Sequence, residues 1–152
     1  MVFTFGKYTI DADVERTREY YKTAEFITDI CDCDGCTNFE KATDVFPKPV
    51  RELFDKLGID PKKAYDTCAI VSVENGAKIL TDGLYLFFGT ILKEEQLFEI
   101  IEVDDIPIKI ADRNPAKIVD DYYVRFGLSG DDTAVMGVNF NVPWVLNKEN
   151  TY

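Results

Sequence analysis

The spacing of apolar residues changes character near Thr67, and that change confines the chain to few folds. Up to residue 66, after one short alternating run at the start, apolar side chains recur at helical intervals. Beyond it they fall in short β-branched and aromatic runs separated by turn residues. Helices gathered first and strands gathered afterwards predict an α+β fold, with a helical N-terminal third packed on an antiparallel β-sheet that curls or doubles into a sandwich. Too few helices intervene between the strands to supply the crossovers of a parallel sheet. With 152 residues, 46% of them hydrophobic, one domain spanning 1–152 has enough apolar surface for its own core.

Local signals divide these two parts. Residues 2–10 alternate as a first strand, and Asp11 or Asp13 can cap a helix over 14–24. Asp34 can cap a second helix carrying Phe39, Ala42, Val45 and Phe46, which Pro47 ends. A third helix over 49–57 begins at Pro49 and closes on Gly58. Strands are expected at 67–73 and 77–80 around Asn75-Gly76, then at 84–91 with Gly83 and Gly89 as bend points. Further strands are expected at 97–103 and 106–110 around Asp104-Asp105, and at 122–128 and 134–142. Asp112 to Pro115 reads as a loop.

The distinctive chemistry lies in Cys31-Asp32-Cys33-Asp34-Gly35-Cys36. Cys33-x-x-Cys36 has the spacing with which two thiolates chelate one tetrahedral ion, and Gly35 permits a tight turn. A helix starting beside Cys36 would favour its thiolate, while Asp32 and Asp34 oppose it by adding like charge. A structural zinc site wants four ligands, and with no histidine in the chain the candidates are Cys31, Cys33, Cys36 and Cys68. Three readings stay open: a zinc site, thiols that pack or stay idle, and a redox pair. A redox pair lacks the βαβ context of thioredoxin-type motifs. If Cys68 is remote, the fourth ligand falls to Asp32, Asp34, water or another chain, and packing thiols become the better account.

Other constellations exclude more than they offer. Without histidine, Ser-His-Asp and Cys-His mechanisms are ruled out, and no phosphate-binding glycine loop is present. The acidic pairs Glu94-Glu95, Asp104-Asp105, Asp120-Asp121 and Asp131-Asp132 all fall at expected turns, where Asp serves local hydrogen bonding. A net charge of −11 with no basic cluster disfavours direct binding to nucleic acid or to an anionic membrane. There is no apolar run long enough to span a bilayer, and residues 1–10 lack the pattern of a secretory signal, so the expected address is the cytoplasm.

Three segments, Cys31-x-Cys33-x-x-Cys36-x-Asn38-Phe39, Leu57-Gly58-Ile59-Asp60-Pro61 and Asn141-Val142-Pro143-Trp144-Val145-Leu146, together resemble a family of uncharacterised small bacterial proteins. The resemblance implies a shared fold and transfers no functional residue. The expected function is a non-enzymatic binding or structural module, with a cysteine-ligated zinc at the junction of helices and sheet. The alternative is an acidic inhibitor or immunity-type protein that covers a basic protein partner. An enzyme using carboxylates or thiols is a third reading.

Overall fold

The computed structural model describes residues 1–5, 8–93, 99–103, 106–110 and 121–152. It begins with a hairpin of β1 (Val2–Phe5) and β2 (Tyr8–Ala12) where a single strand was expected. Four helices follow: α1 (Val14–Thr23), α2 (Ile27–Ile30), α3 (Asp34–Ala42) and α4 (Lys48–Leu57). The strands after them are β3 (Asp66–Val73), β4 (Lys78–Lys93), β5 (Glu99–Val103), β6 (Ile106–Ile110), β7 (Tyr122–Leu128) and β8 (Thr133–Pro143). The α+β class is as the sequence implies. None of the described helices is long and apolar enough to cross a membrane.

The helix boundaries follow local chemistry. Asp13 caps α1 by accepting from the Arg16 amide at 3.1 Å, and Gly58 closes α4 in the left-handed conformation. Pro49 sits in the first turn of α4, where its missing N–H costs no hydrogen bond. The single turn of α2 has no counterpart in the apolar spacing. It is fixed from outside, because Ile27 donates its amide to Lys62 O at 2.9 Å and Glu40 of α3 accepts from the Thr28 amide and hydroxyl.

Among the described residues the strands form one eight-stranded sheet in the order β1-β2-β4-β8-β7-β6-β5, with β3 beside β4. The expected doubling therefore does not take the form of two separate sheets, because β4 runs through both parts. One edge of β4 pairs with β8 from Lys78 to Phe88, so the expected strands 77–80 and 84–91 are one, and Thr81-Asp82-Gly83 is no break. The other edge is shared between β3 over its first half and β2 over its end. The handover falls at Gly89, whose φ is 149° and where a Cβ would stand 2.4 Å from Asp11 O. Only glycine accepts that backbone and that approach. Every described pairing is antiparallel except β6 with β7, which is parallel.

Alternation along the strands sends one set of side chains toward the helices. Ile79, Tyr85 and Phe87 of β4 and Met136, Val138, Phe140 and Val142 of β8 are buried with Val50, Leu53, Phe54 and Leu57 of α4. Phe54 meets Tyr85 edge-on at 4.9 Å, and Phe46 meets Phe140 at 5.4 Å. Two buried phenols find partners within the core: Tyr85 donates to Pro61 O at 2.8 Å and Tyr21 to Leu86 O at 2.7 Å. Desolvation by burial pushes both phenols well above the ordinary tyrosine value.

Candidate metal centre

Three elements place the cysteines. Chain leaves α2 in an extended conformation at Cys31, and Cys33, also extended, becomes the residue that caps α3. Its Sγ accepts from the Cys36 amide at 3.4 Å, so a sulfur does the work that the sequence assigned to Asp34. Asp34 instead lies in the first turn and pairs with Lys148 at 2.9 Å. Cys36 is buried under β3, with its Sγ 3.2 Å from the Thr67 hydroxyl.

This local fold gathers Cys31, Cys33 and Cys36 with all three sulfurs within 4.8 Å of one another. Cys31 Sγ and Cys33 Sγ are 3.3 Å apart. Such a cluster can hold a metal ion: four sulfurs at zinc bond lengths of about 2.3 Å stand roughly 3.8 Å apart, close to what this turn presents. Among the described residues no carboxylate joins the group.

Cys68 is not brought to them, and the four-cysteine set expected from the sequence is corrected to three. Thr67 faces Cys36, and Ala69 lies so near Gly35 that a Cβ there would approach Ala69 Cβ to 2.3 Å. Successive strand residues face opposite ways, so Cys68 between them points away from α3 and is exposed. Gly35 also acts otherwise than the sequence implied. Its φ is not in the left-handed region, and what it provides is the missing side chain that lets α3 lie against β3.

The sulfurs differ in character. Burial disfavours a charge on Cys33, but hydrogen bonds from the Cys36 amide, Cys31, Cys36 and Tyr152 outweigh it and hold this thiol below its ordinary value. Burial pushes the Cys36 thiol up to about 12, although the Thr67 hydroxyl works against the shift. The helix start therefore favours the Cys33 thiolate, whereas the sequence pointed to Cys36.

The segment 144–152 closes over this turn. Asn38 of α3, fully buried, donates to Pro143 O at 3.1 Å and accepts from the Val145 amide at 2.7 Å. Tyr152 Oη accepts from the Gly35 amide at 3.0 Å. Sequence reasoning passed over Tyr152, whose role depends on a contact spanning most of the chain.

Away from this end, a concavity of about 950 Å³ is lined by Asp11, Asp13, Arg16, Asp55, Lys56 and Asp132. Arg16 pairs with Asp132 at 2.7 Å and stacks on the Phe88 ring, so this arginine is already engaged within the fold. Among the described residues its acids do not gather three ligand atoms. Of the acidic pairs, Asp121 binds Lys78 at 2.8 Å, while Glu94-Glu95, Asp104-Asp105 and Asp120 lie outside the described residues, as does the expected loop from Asp112 to Pro115. The chain matches no family model, no curated protein and no solved structure.

Proposed function

We propose that the protein is a non-enzymatic binding or structural module in which Cys31, Cys33 and Cys36 hold one zinc ion, with water or a ligand from outside the chain in the fourth position. The observation that carries this reading is the meeting of three sulfurs at the start of α3. Packing accounts for Cys36 and, in part, for Cys31, which is half-buried against the core, but not for Cys33, which is exposed. The same turn holds the Cys33 thiol below its ordinary value, toward the thiolate that binds metal. The ion would join the end of α2 to the cap of α3, where helical layer, β3 and the segment 144–152 meet. Its free energy of binding would then add to that of folding.

Metal analysis of the full chain purified without chelator tests this. About one zinc per chain is expected, with loss of most of it in Cys33→Ser and full retention in Cys68→Ser. Substoichiometric zinc that survives unchanged in Cys33→Ser overturns the proposal.

A further inference from the structure

Resting on that reading of the thiols, we infer that Cys31 and Cys33 are a peroxide-sensitive pair, and that the disulfide they form takes two ligands from the metal centre and releases the ion.

Position decides which two of the three sulfurs join. Cys31 and Cys33 both have extended backbone between α2 and α3, where side chains two residues apart leave the chain on the same side. Their sulfurs stand 3.3 Å apart, and closing to a bond of about 2.0 Å needs only a small rotation of the side chains. Cys36 is placed otherwise. It is buried in α3 with its Sγ 3.2 Å from the Thr67 hydroxyl, so joining Cys33 would draw it out of that seat. The Cys33-x-x-Cys36 spacing therefore misdirects, and the pair that closes is Cys31-x-Cys33.

Exposure decides which sulfur meets the oxidant first. Cys33 is exposed, Cys31 half-buried and Cys36 buried. The Cys33 sulfur attacks one oxygen of hydrogen peroxide; the O–O bond breaks, Cys33 becomes a sulfenic acid, and the other oxygen leaves as water with the thiol proton. Cys31 Sγ, already in contact, attacks that sulfur, forming the S–S bond and expelling the hydroxyl, which takes the Cys31 proton as a second water. The two thiols lose two electrons and the peroxide gains them. When the ion holds both sulfurs as thiolates, the same two protons come from solvent.

Closure empties the site without tying distant parts of the fold together. The disulfide encloses only Asp32, so it gains little from loop entropy, and an exposed bond of this kind is readily reduced. Thiolates are the metal-binding form, and the disulfide leaves Cys36 as the single thiol of the group. One thiol does not hold zinc. Occupancy and oxidation thus exclude each other, and a dithiol reductant reverses the exchange. Cys68 supplies the contrast: it is exposed like Cys33 but lies outside the thiol group, so its oxidation finds no partner sulfur in the chain.

The experiment incubates the full chain with zinc, adds hydrogen peroxide, follows released zinc with a chromogenic chelator, and maps disulfides by mass spectrometry after free thiols are blocked. Cleavage before aspartate separates the candidates, because Asp32 and Asp34 put Cys31, Cys33 and Cys36 on different peptides. The expected product links Cys31 to Cys33 and leaves Cys36 and Cys68 as blocked thiols, with about one zinc released per disulfide and zinc binding recovered after dithiothreitol. In Cys31→Ser the sulfenic acid on Cys33 is expected to persist, so that a dimedone probe traps about tenfold more of it than in the wild-type chain. A Cys33–Cys36 link, a link through Cys68, no disulfide at all, or zinc that stays bound once the pair is oxidised overturns the inference and leaves the metal reading standing. A chain that takes up no zinc yet forms the Cys31–Cys33 disulfide overturns the metal reading, and with it the release, while the thiol pair stands.

Discussion

β3 and β4 present two unlike faces. Toward the helices, Ala69 receives α3 so closely that Gly35 has no room for a methyl group, and the thiol of Cys36 is buried beside Thr67. On the far face Cys68 stands directly across from Asp82, in one row with Asn139 and Tyr123. Cys68 is exposed there, and among the described residues one buried oxygen of Asp82 has no hydrogen-bond partner. Residues one position apart in sequence thus belong to different chemical worlds. The parity of the strand, more than nearness along the chain, decides which cysteines can share an ion.

The sharpest way to break this comparison is to fill the helix-facing contact. Gly35→Ala is expected to destabilise the protein by about 3 kcal/mol, because Ala69 Cβ is bonded to the backbone and cannot step aside. Urea denaturation checks it, and Ala69→Gly in the same chain should recover most of the loss. A Gly35→Ala protein as stable as the parent would mean that α3 does not sit on β3 as described.

A smaller effect of opposite sign is expected on the far face. Desolvation raises the Asp82 carboxyl above the ordinary carboxylate range, with Arg125 working against it. A folded value above the unfolded one gives stability that is present below the ordinary carboxylate value and lost as the pH rises through the folded value. Asp82→Asn should accordingly raise stability at pH 7 by about 0.5–1 kcal/mol, with the gain vanishing toward pH 3. Thermal melts across that range would show a constant difference, or none, if burial were not the cause.

Least of all should follow from Cys68→Ser. An exposed side chain outside the thiol group is expected to change stability by less than about 0.5 kcal/mol. Cys36→Ser, which puts a hydroxyl into a buried place, should cost more in the same denaturation series. Equal costs would erase the difference between the faces.

Much of the helical layer was legible because its signals are local. Asp13, Pro49 and Gly58 mark their helix ends through the chain's own immediate neighbours, and Asn75-Gly76 announces the turn into β4. The segments carrying Asn38 and Pro143 to Val145 stood out separately, and the structure joins them through two hydrogen bonds. What stayed hidden depends on register. The fusion of two expected strands into β4 requires β8 beside both. The face of Cys68 could not be read because Ile70 and Val71 are both apolar and exposed, a run that the bulge near them breaks out of alternation. The three-thiol group was legible because it lies within one turn, whereas Tyr152 must come from afar.

The pairing of β4 with β8 also sets an order of events during folding. Helices α1, α3 and α4 can form from local contacts, but the floor they pack on is complete only when β8, the final strand of the described sheet, takes its place along β4. Contacts between such distant parts of a chain close slowly, because the entropy of the intervening loop must be overcome first. A nascent chain paused before β8 would carry Phe46 and Phe54 without the Phe140 side of their cluster, so apolar surface would wait uncovered. Docking of β8 is thus the step that covers this aromatic surface.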